Sequence, residues 1–208
     1  MILAIDTSAS VAVAVVDQGV DDRGGDRFAT VAERSEFAPR GHAELLAVFI
    51  KEALAVAGVR RPDRVIVGTG PAPFTGLRVG IVTARMLAFA WEVPCDGVCS
   101  LDAVAAEVAG HATVIADARR KEVYWATYRD GLRLTEPQVG AAGSVEPVGT
   151  VLGRGAALYP EIFPGARTVD PDPARLVAVA AAARRAGATD LSTEPLYLRR
   201  PDVHGVPA

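Results

Sequence analysis

The chain has 208 residues, of which 50% are hydrophobic and 23% charged, proportions typical of a soluble globular protein with one large domain or two small ones. Its formal net charge of -3 excludes the overall basic surface that drives nucleic-acid binding. No apolar run reaches the ~18 residues of a membrane span. The first apolar run stops at Asp6 and lacks the features of a signal peptide. We therefore expect a cytoplasmic protein that does not bind a membrane.

The cysteines and histidines predict no metal or redox site. Cys95 and Cys99 have the spacing C-x-x-x-C, which fits neither a redox C-x-x-C motif nor a zinc knuckle. We expect both to be small buried hydrophobic residues. The three histidines are too dispersed in the sequence to form a local site.

Apolar runs and helical spacing predict an α/β protein. The apolar residues 1–5 end at Asp6, and a small polar turn separates them from a second run at 11–16, so this segment predicts a buried hairpin with an acid at its tip. The other predicted elements are a loop at 18–26, an edge strand at 28–36, a helix at 43–57, a strand at 65–67, a helix at 76–91 capped by Thr75, a helix at 100–109, a strand at 148–153 and a helix from Asp172-Pro173 to 186.

The hairpin pattern occurs twice. Residues 114–117 form an apolar run ending in Asp117, a polar turn follows, and residues 123–128 form a second run. Because the two copies are about half a chain apart, the sequence predicts a duplicated α/β domain. We divide the chain into an N-terminal domain at 1–109 and a smaller C-terminal domain with a tail at 110–208.

Residues 68–80, GTGPAPFTGLRVG, have the glycines of a phosphate loop but do not fit its templates. No lysine follows the glycines as a P-loop requires. Pro73 stands where the dinucleotide fingerprint needs its third glycine. Pro71 and Pro73 also lack the N–H groups that would hold an anion.

The helix that follows offers another explanation for these glycines. Its mostly small residues recur at helical spacing, so another backbone can approach one face closely. That backbone belongs either to a partner subunit or to the protein's own sheet, and spacing alone does not decide between them. The face consists of Gly76, Gly80, Thr83, Ala84 and Leu87, with Pro71 and Phe74 at its entry.

Four segments, at 2–8, at 70–80, at 117–119 with 122–126, and at 195–199, together resemble the bacterial TsaB family. The resemblance implies a duplicated actin-like and Hsp70-like fold of the ASKHA superfamily, with ribonuclease-H-like domains of which the second is degenerate. It also implies a non-catalytic subunit that binds a TsaD-like catalytic paralogue. With a TsaE-like ATPase, such a complex adds threonylcarbamoyl to the N6 of the adenosine beside the tRNA anticodon.

The resemblance assigns roles to further residues. Ser100 and Val104 stand where the catalytic paralogue has two metal-binding histidines, and neither side chain replaces an imidazole, so we expect no catalytic residue and no metal. The resemblance favours a partner interface for Pro71, Phe74 and the small helix face. Two sets remain: degenerate nucleotide-loop positions Asp6, Thr7, Ser8 and Asp117, and a turn of Arg119, Arg120 and Lys121 that either contacts tRNA or a partner or is simply solvated.

Other functions of the same superfamily stay open at this point. An ATP-dependent small-molecule kinase or a glycoprotease-like hydrolase would use Asp6 and Asp117, and a nucleotide-sensing module would bind ATP without chemistry. We expect no tightly bound cofactor on this chain alone, with ATP at a complex interface as an option. A homodimer is a possible competitor of the hetero-complex.

Overall fold

The computed structural model describes residues 1–21, 24–37, 42–106 and 108–199. Residues 200–208 of the predicted tail lie outside these ranges. The described chain forms two five-stranded sheets with four α-helices.

The first sheet has the strand order β3-β2-β1-β4-β5. Strands β1, β2 and β3 are antiparallel neighbours, whereas β4 and β5 run parallel to β1. The predicted hairpin and the edge strand are confirmed, but β2 extends into the segment predicted as a loop, and β5 was not predicted. The strands are β1 at Ile2–Asp6, β2 at Val11–Val20, β3 at Asp26–Glu36, β4 at Arg64–Gly68 and β5 at Cys95–Val98.

Helices cover both faces of this sheet. α1 (His42–Val56) and α2 (Phe74–Trp91) share one apolar cluster with β1, β2 and β4. α2 begins two residues earlier than predicted, and Thr75 is not its cap, because Pro73 occupies the N-cap position without a side-chain hydrogen bond. α3 (Ser100–Ala105) is shorter than predicted.

The second sheet repeats the arrangement of the first. β6 (His111–Asp117) pairs with β7 (Glu122–Arg129) in antiparallel register and with β10 (Thr150–Leu152) in parallel register, as β1 pairs with β2 and β4. Two short strands, β8 (Leu132–Arg133) and β9 (Gln138–Ala141), lie beside β7 and were not predicted. The duplicated α/β fold class is therefore confirmed.

The last helix returns to the first sheet. α4 (Pro173–Arg185) is capped as predicted, since the Asp172 Oδ1 accepts a 2.8 Å hydrogen bond from the N–H of Ala174. Its buried residues pack on the face of the first sheet opposite α1 and α2. The segment after α4 also follows the first sheet, with the N–H of Gly97 bonded to the carbonyl of Leu191. The division of the chain at residue 109 stays a prediction.

Candidate functional site

The tip of the first hairpin encloses Asp6. Its side chain is 1% exposed, and its Oδ1 accepts hydrogen bonds from the N–H and the hydroxyl of Ser8 at 2.8 and 2.6 Å. The Ser100 hydroxyl donates to Oδ2 at 2.6 Å, and a β-carbon on Gly68 would overlap the same oxygen. Burial raises the pKa of Asp6, although the hydrogen bonds from Ser100 and Ser8 oppose the shift. Asp6 is thus a structural carboxyl closed off from a ligand.

Thr7 explains Gly80 of α2. Its hydroxyl donates a 2.8 Å hydrogen bond to the carbonyl of Gly76, and a β-carbon on Gly80 would overlap this hydroxyl. Thr7 is 2% exposed. The small face of α2 therefore packs on the protein's own hairpin. This is the second of the two alternatives that the residue spacing left open.

This arrangement bears on the predicted partner interface. Gly80 is buried against the tip of the first hairpin and Ala84 in the apolar core of the first sheet, so neither is exposed on the surface of the chain, and the partner interface stays a prediction. Leu87 packs on the same core, and Pro71 is buried. Among the predicted interface residues, Phe74 is the most exposed, at 38%, whereas Gly76 and Thr83 are half-buried.

The outer face of α2 carries exposed apolar side chains instead. Val82, Met86 and Phe89 are 56%, 63% and 82% exposed. Their i, i+4 and i+7 spacing aligns them in one stripe, which we call the α2 stripe. The sequence contained a signal for this stripe. The apolar residues of α2 lie on more sides of the helix than packing against one sheet can bury.

The segment after α4 contacts α2 through several side chains. The ring of Tyr197 stacks on that of Phe74 with centroids 5.0 Å apart, and the Arg78 guanidinium lies 3.7 Å over the Phe74 ring and donates to the Tyr197 hydroxyl. Further along the helix, Arg85 bonds to Thr193 and Glu194.

The tip of the second hairpin differs from the first. Asp117 is partly exposed, and its Oδ1 accepts a 2.7 Å hydrogen bond from the N–H of Arg119. The exposed residues Arg119, Arg120 and Lys121 have φ angles of 62°, 55° and 63°. This left-handed conformation costs a non-glycine residue roughly 1–2 kcal/mol. We call these three residues the basic turn.

The tail also braces the basic turn. The Arg199 guanidinium donates a 3.2 Å hydrogen bond to the carbonyl of Ala118 and forms an ion pair with Glu122. Arg199 is 25% exposed, and the Ala118 it holds is buried. Residue Arg199, far along the chain, therefore contacts both ends of the turn.

A cavity of about 140 Å³ lies between the two hairpin tips. Its wall is largely apolar and includes Val104 and Leu101. Four charged residues lie at its edge: Asp117, Arg119, Arg154 and Asp170. Asp170 accepts two hydrogen bonds from Arg154, at 2.8 and 2.6 Å. Such a cavity is smaller than the about 300–1,000 Å³ usual for small-molecule sites.

Within the described ranges, no group of three or more His, Cys, Asp or Glu side chains is placed to hold a metal ion. No helix in the same ranges is both long and apolar enough to cross a membrane.

Comparison with known proteins adds independent information. A model of the family described as TsaD, tRNA N6-adenosine threonylcarbamoyltransferase, matches residues 31–160. An uncharacterized protein of Mycobacterium leprae is 40% identical over 100% of this chain and 57% of its own length. The Escherichia coli tRNA threonylcarbamoyladenosine biosynthesis protein TsaB is 35% identical over 62% of this chain and 54% of its own. The chain thus spans little more than half the length of these two relatives.

The solved structures show a similar fold over nearly the whole chain. YeaZ from Pseudomonas aeruginosa superposes with a TM-score of 0.74 at 29% identity, covering 95% of this chain and 99% of that one. The actin-like fold implied by the sequence resemblance is consistent with this match and with the pairing of both sheets.

Proposed function

Since this chain belongs to the TsaB family, we propose that it is the non-catalytic subunit of a complex that adds threonylcarbamoyl to the N6 of the adenosine beside the tRNA anticodon. Its role is to bind a TsaD-like catalytic paralogue and support its activity. A TsaE-like ATPase is the third component.

The α2 stripe is the observation that carries the proposal. Met86 and Phe89 are large apolar side chains at 63% and 82% exposure on a regular helix. Contiguous exposed apolar side chains on a folded protein mark an interaction surface, and a helix with i, i+4 and i+7 anchors fits an apolar groove or helix pair. The stripe replaces the small face as the proposed docking surface.

A supporting rather than a catalytic role follows from the closed first hairpin. Asp6 is enclosed by Ser8 and Ser100, and the apolar Val104 stands one helical turn after Ser100. A carboxyl that donors surround on both oxygens has no access to a substrate. Chemistry in the complex therefore belongs to the paralogue.

The cleft of this chain does not fit a nucleotide. The cavity between the hairpin tips is only about 140 Å³ and its wall is largely apolar, and its two carboxylates, Asp117 and Asp170, are already paired with Arg119 and Arg154. We propose that the chain alone binds no cofactor tightly. ATP, where the reaction uses it, sits at the complex interface or on the ATPase.

A reconstituted reaction tests the proposed function. The TsaD-like paralogue of the same genome is incubated with unmodified tRNA and threonylcarbamoyl adenylate, with and without this chain, and the digested tRNA is analysed by mass spectrometry. The modified nucleoside should form with both proteins and in neither single-protein reaction. Equal product from the paralogue alone would contradict the proposal.

Calorimetry of the isolated chain with MgATP separates the proposal from a kinase or a nucleotide sensor. We expect no binding in the micromolar range. Size-exclusion chromatography of the same sample shows whether a homodimer competes, since two copies that covered their stripes with one another would elute as a dimer.

A further inference from the structure

We propose that the basic turn contacts the phosphate backbone of RNA in the assembled complex. The inference rests on the proposed function, because that function brings tRNA to the complex. It assigns part of the tRNA binding to this chain rather than to its partner.

Local charge favours an anionic ligand. Arg119, Arg120 and Lys121 are exposed on one turn, and Arg199 lies beside them on Ala118. Four cations and the two carboxylates of Asp117 and Glu122 lie together at this tip, on a chain whose formal charge is -3. A positive spot on an acidic protein attracts phosphates to one place and leaves the rest of the surface repulsive.

The backbone of the turn supports a binding role over a folding role. Three consecutive residues adopt the left-handed conformation that glycine and asparagine tolerate best. Long cationic side chains at these positions strain the backbone, and all three are exposed rather than packed in a core. Violations of local preference of this kind concentrate at functional sites.

The turn also lies beside the beginning of α2. Tyr197 stacks on Phe74, and two residues later Arg199 holds Ala118. Two residues span at most about 7 Å. The α2 stripe starts eight residues after Phe74, or about 12 Å along the helix axis. RNA on the basic turn would therefore lie close to the docked partner and contact both subunits.

RNA fits the turn better than an acidic protein does. Three consecutive exposed cations offer contacts to successive backbone phosphates, and guanidinium groups bind phosphate oxygens in pairs. The E. coli relative is named for a tRNA modification. An acidic partner surface remains an outcome of the experiment.

The test removes the charge and keeps the turn. In the triple variant Arg119→Asn, Arg120→Asn and Lys121→Asn, asparagine tolerates the left-handed conformation. A matched control, Arg60→Asn, Arg61→Asn and Arg129→Asn, removes the same charge from exposed sites elsewhere. Each variant is assembled with the paralogue, and binding of labelled unmodified tRNA is measured at several salt concentrations.

We expect the triple variant to lose at least about tenfold in tRNA affinity at physiological salt, with the slope of log affinity against log salt reduced by about two. The control complex should bind within about twofold of wild type. Unchanged affinity and slope in the triple variant would overturn the proposal. So would a failure of that variant to assemble, because the turn would then be a protein contact. If the wild-type chain does not assemble with the paralogue, that result contradicts the proposed function itself.

Discussion

The Oγ1 of Thr7 lies 2.8 Å from the carbonyl oxygen of Gly76, so the tip of the first hairpin is hydrogen-bonded to the first turn of α2. Gly80 lies one turn further along and has no side chain to obstruct this contact. Gly80, one of the glycines that suggest a phosphate loop in the sequence, therefore serves a close approach within the subunit.

Gly80→Ala tests this contact. The added methyl group overlaps Thr7 Oγ1, and overpacking of this kind costs roughly 1–3 kcal/mol, or about 3–10 °C in Tm for a chain of this size. Gly143→Ala is the control, since a β-carbon there meets nothing within 4 Å. Thermal unfolding should separate the two variants. A Gly80→Ala protein as stable as wild type would show that the helix and hairpin do not touch as described.

The sequence predicted much of the fold and little of the site geometry. Both hairpins were recognisable because an apolar run ends in an acid twice. Strand β5 was missed, because CDGV carries an acid and a glycine inside a four-residue strand. The contacts of Thr7 with Gly76 and of Arg199 with Ala118 join residues distant in the chain, and spacing rules describe only near neighbours.

Asp6 should make stability depend on pH. Burial raises its folded-state pKa above the unfolded value, so the folded state binds the proton more tightly. Its contribution is complete below the unfolded pKa near 4 and is lost as the pH rises through the folded pKa. Urea unfolding at several pH values should show Asp6→Asn gaining stability relative to wild type above pH ~4. A constant difference between the two proteins across the range would refute the shift.

The two thiols should be unreactive in the folded protein. Burial raises the pKa of Cys95 to about 11 and that of Cys99 to about 12. Because the thiolate is the reactive form, alkylation at pH ~8 should be at least about 100-fold slower than for a free cysteine. Mass spectrometry after iodoacetamide treatment, with the denatured chain as control, measures this. Rapid labelling of the native chain would count against the described burial.

The brace from the tail should order the basic turn. Arg199→Met removes the hydrogen bond to Ala118 and the ion pair with Glu122. The amides of Ala118 and Glu122, which bond across the turn, should then exchange with deuterium faster. Hydrogen exchange in the β10 segment provides the internal control. Equal protection of the turn in both proteins would mean that its shape does not depend on the tail.

A binding measurement with charged variants tests whether the chain docks through the α2 stripe. The double variant Met86→Glu and Phe89→Glu places two charges on the stripe. Val20→Glu with Leu132→Glu is the matched control, because both residues are apolar and 72% exposed away from α2. Circular dichroism confirms that each variant is folded before calorimetry with the TsaD-like paralogue.

We expect the stripe variant to lose at least about 100-fold in affinity, since charges buried in an apolar interface lack partners. The control should bind as wild type does. If the folded stripe variant binds the paralogue with wild-type affinity, α2 is not the docking surface of this chain.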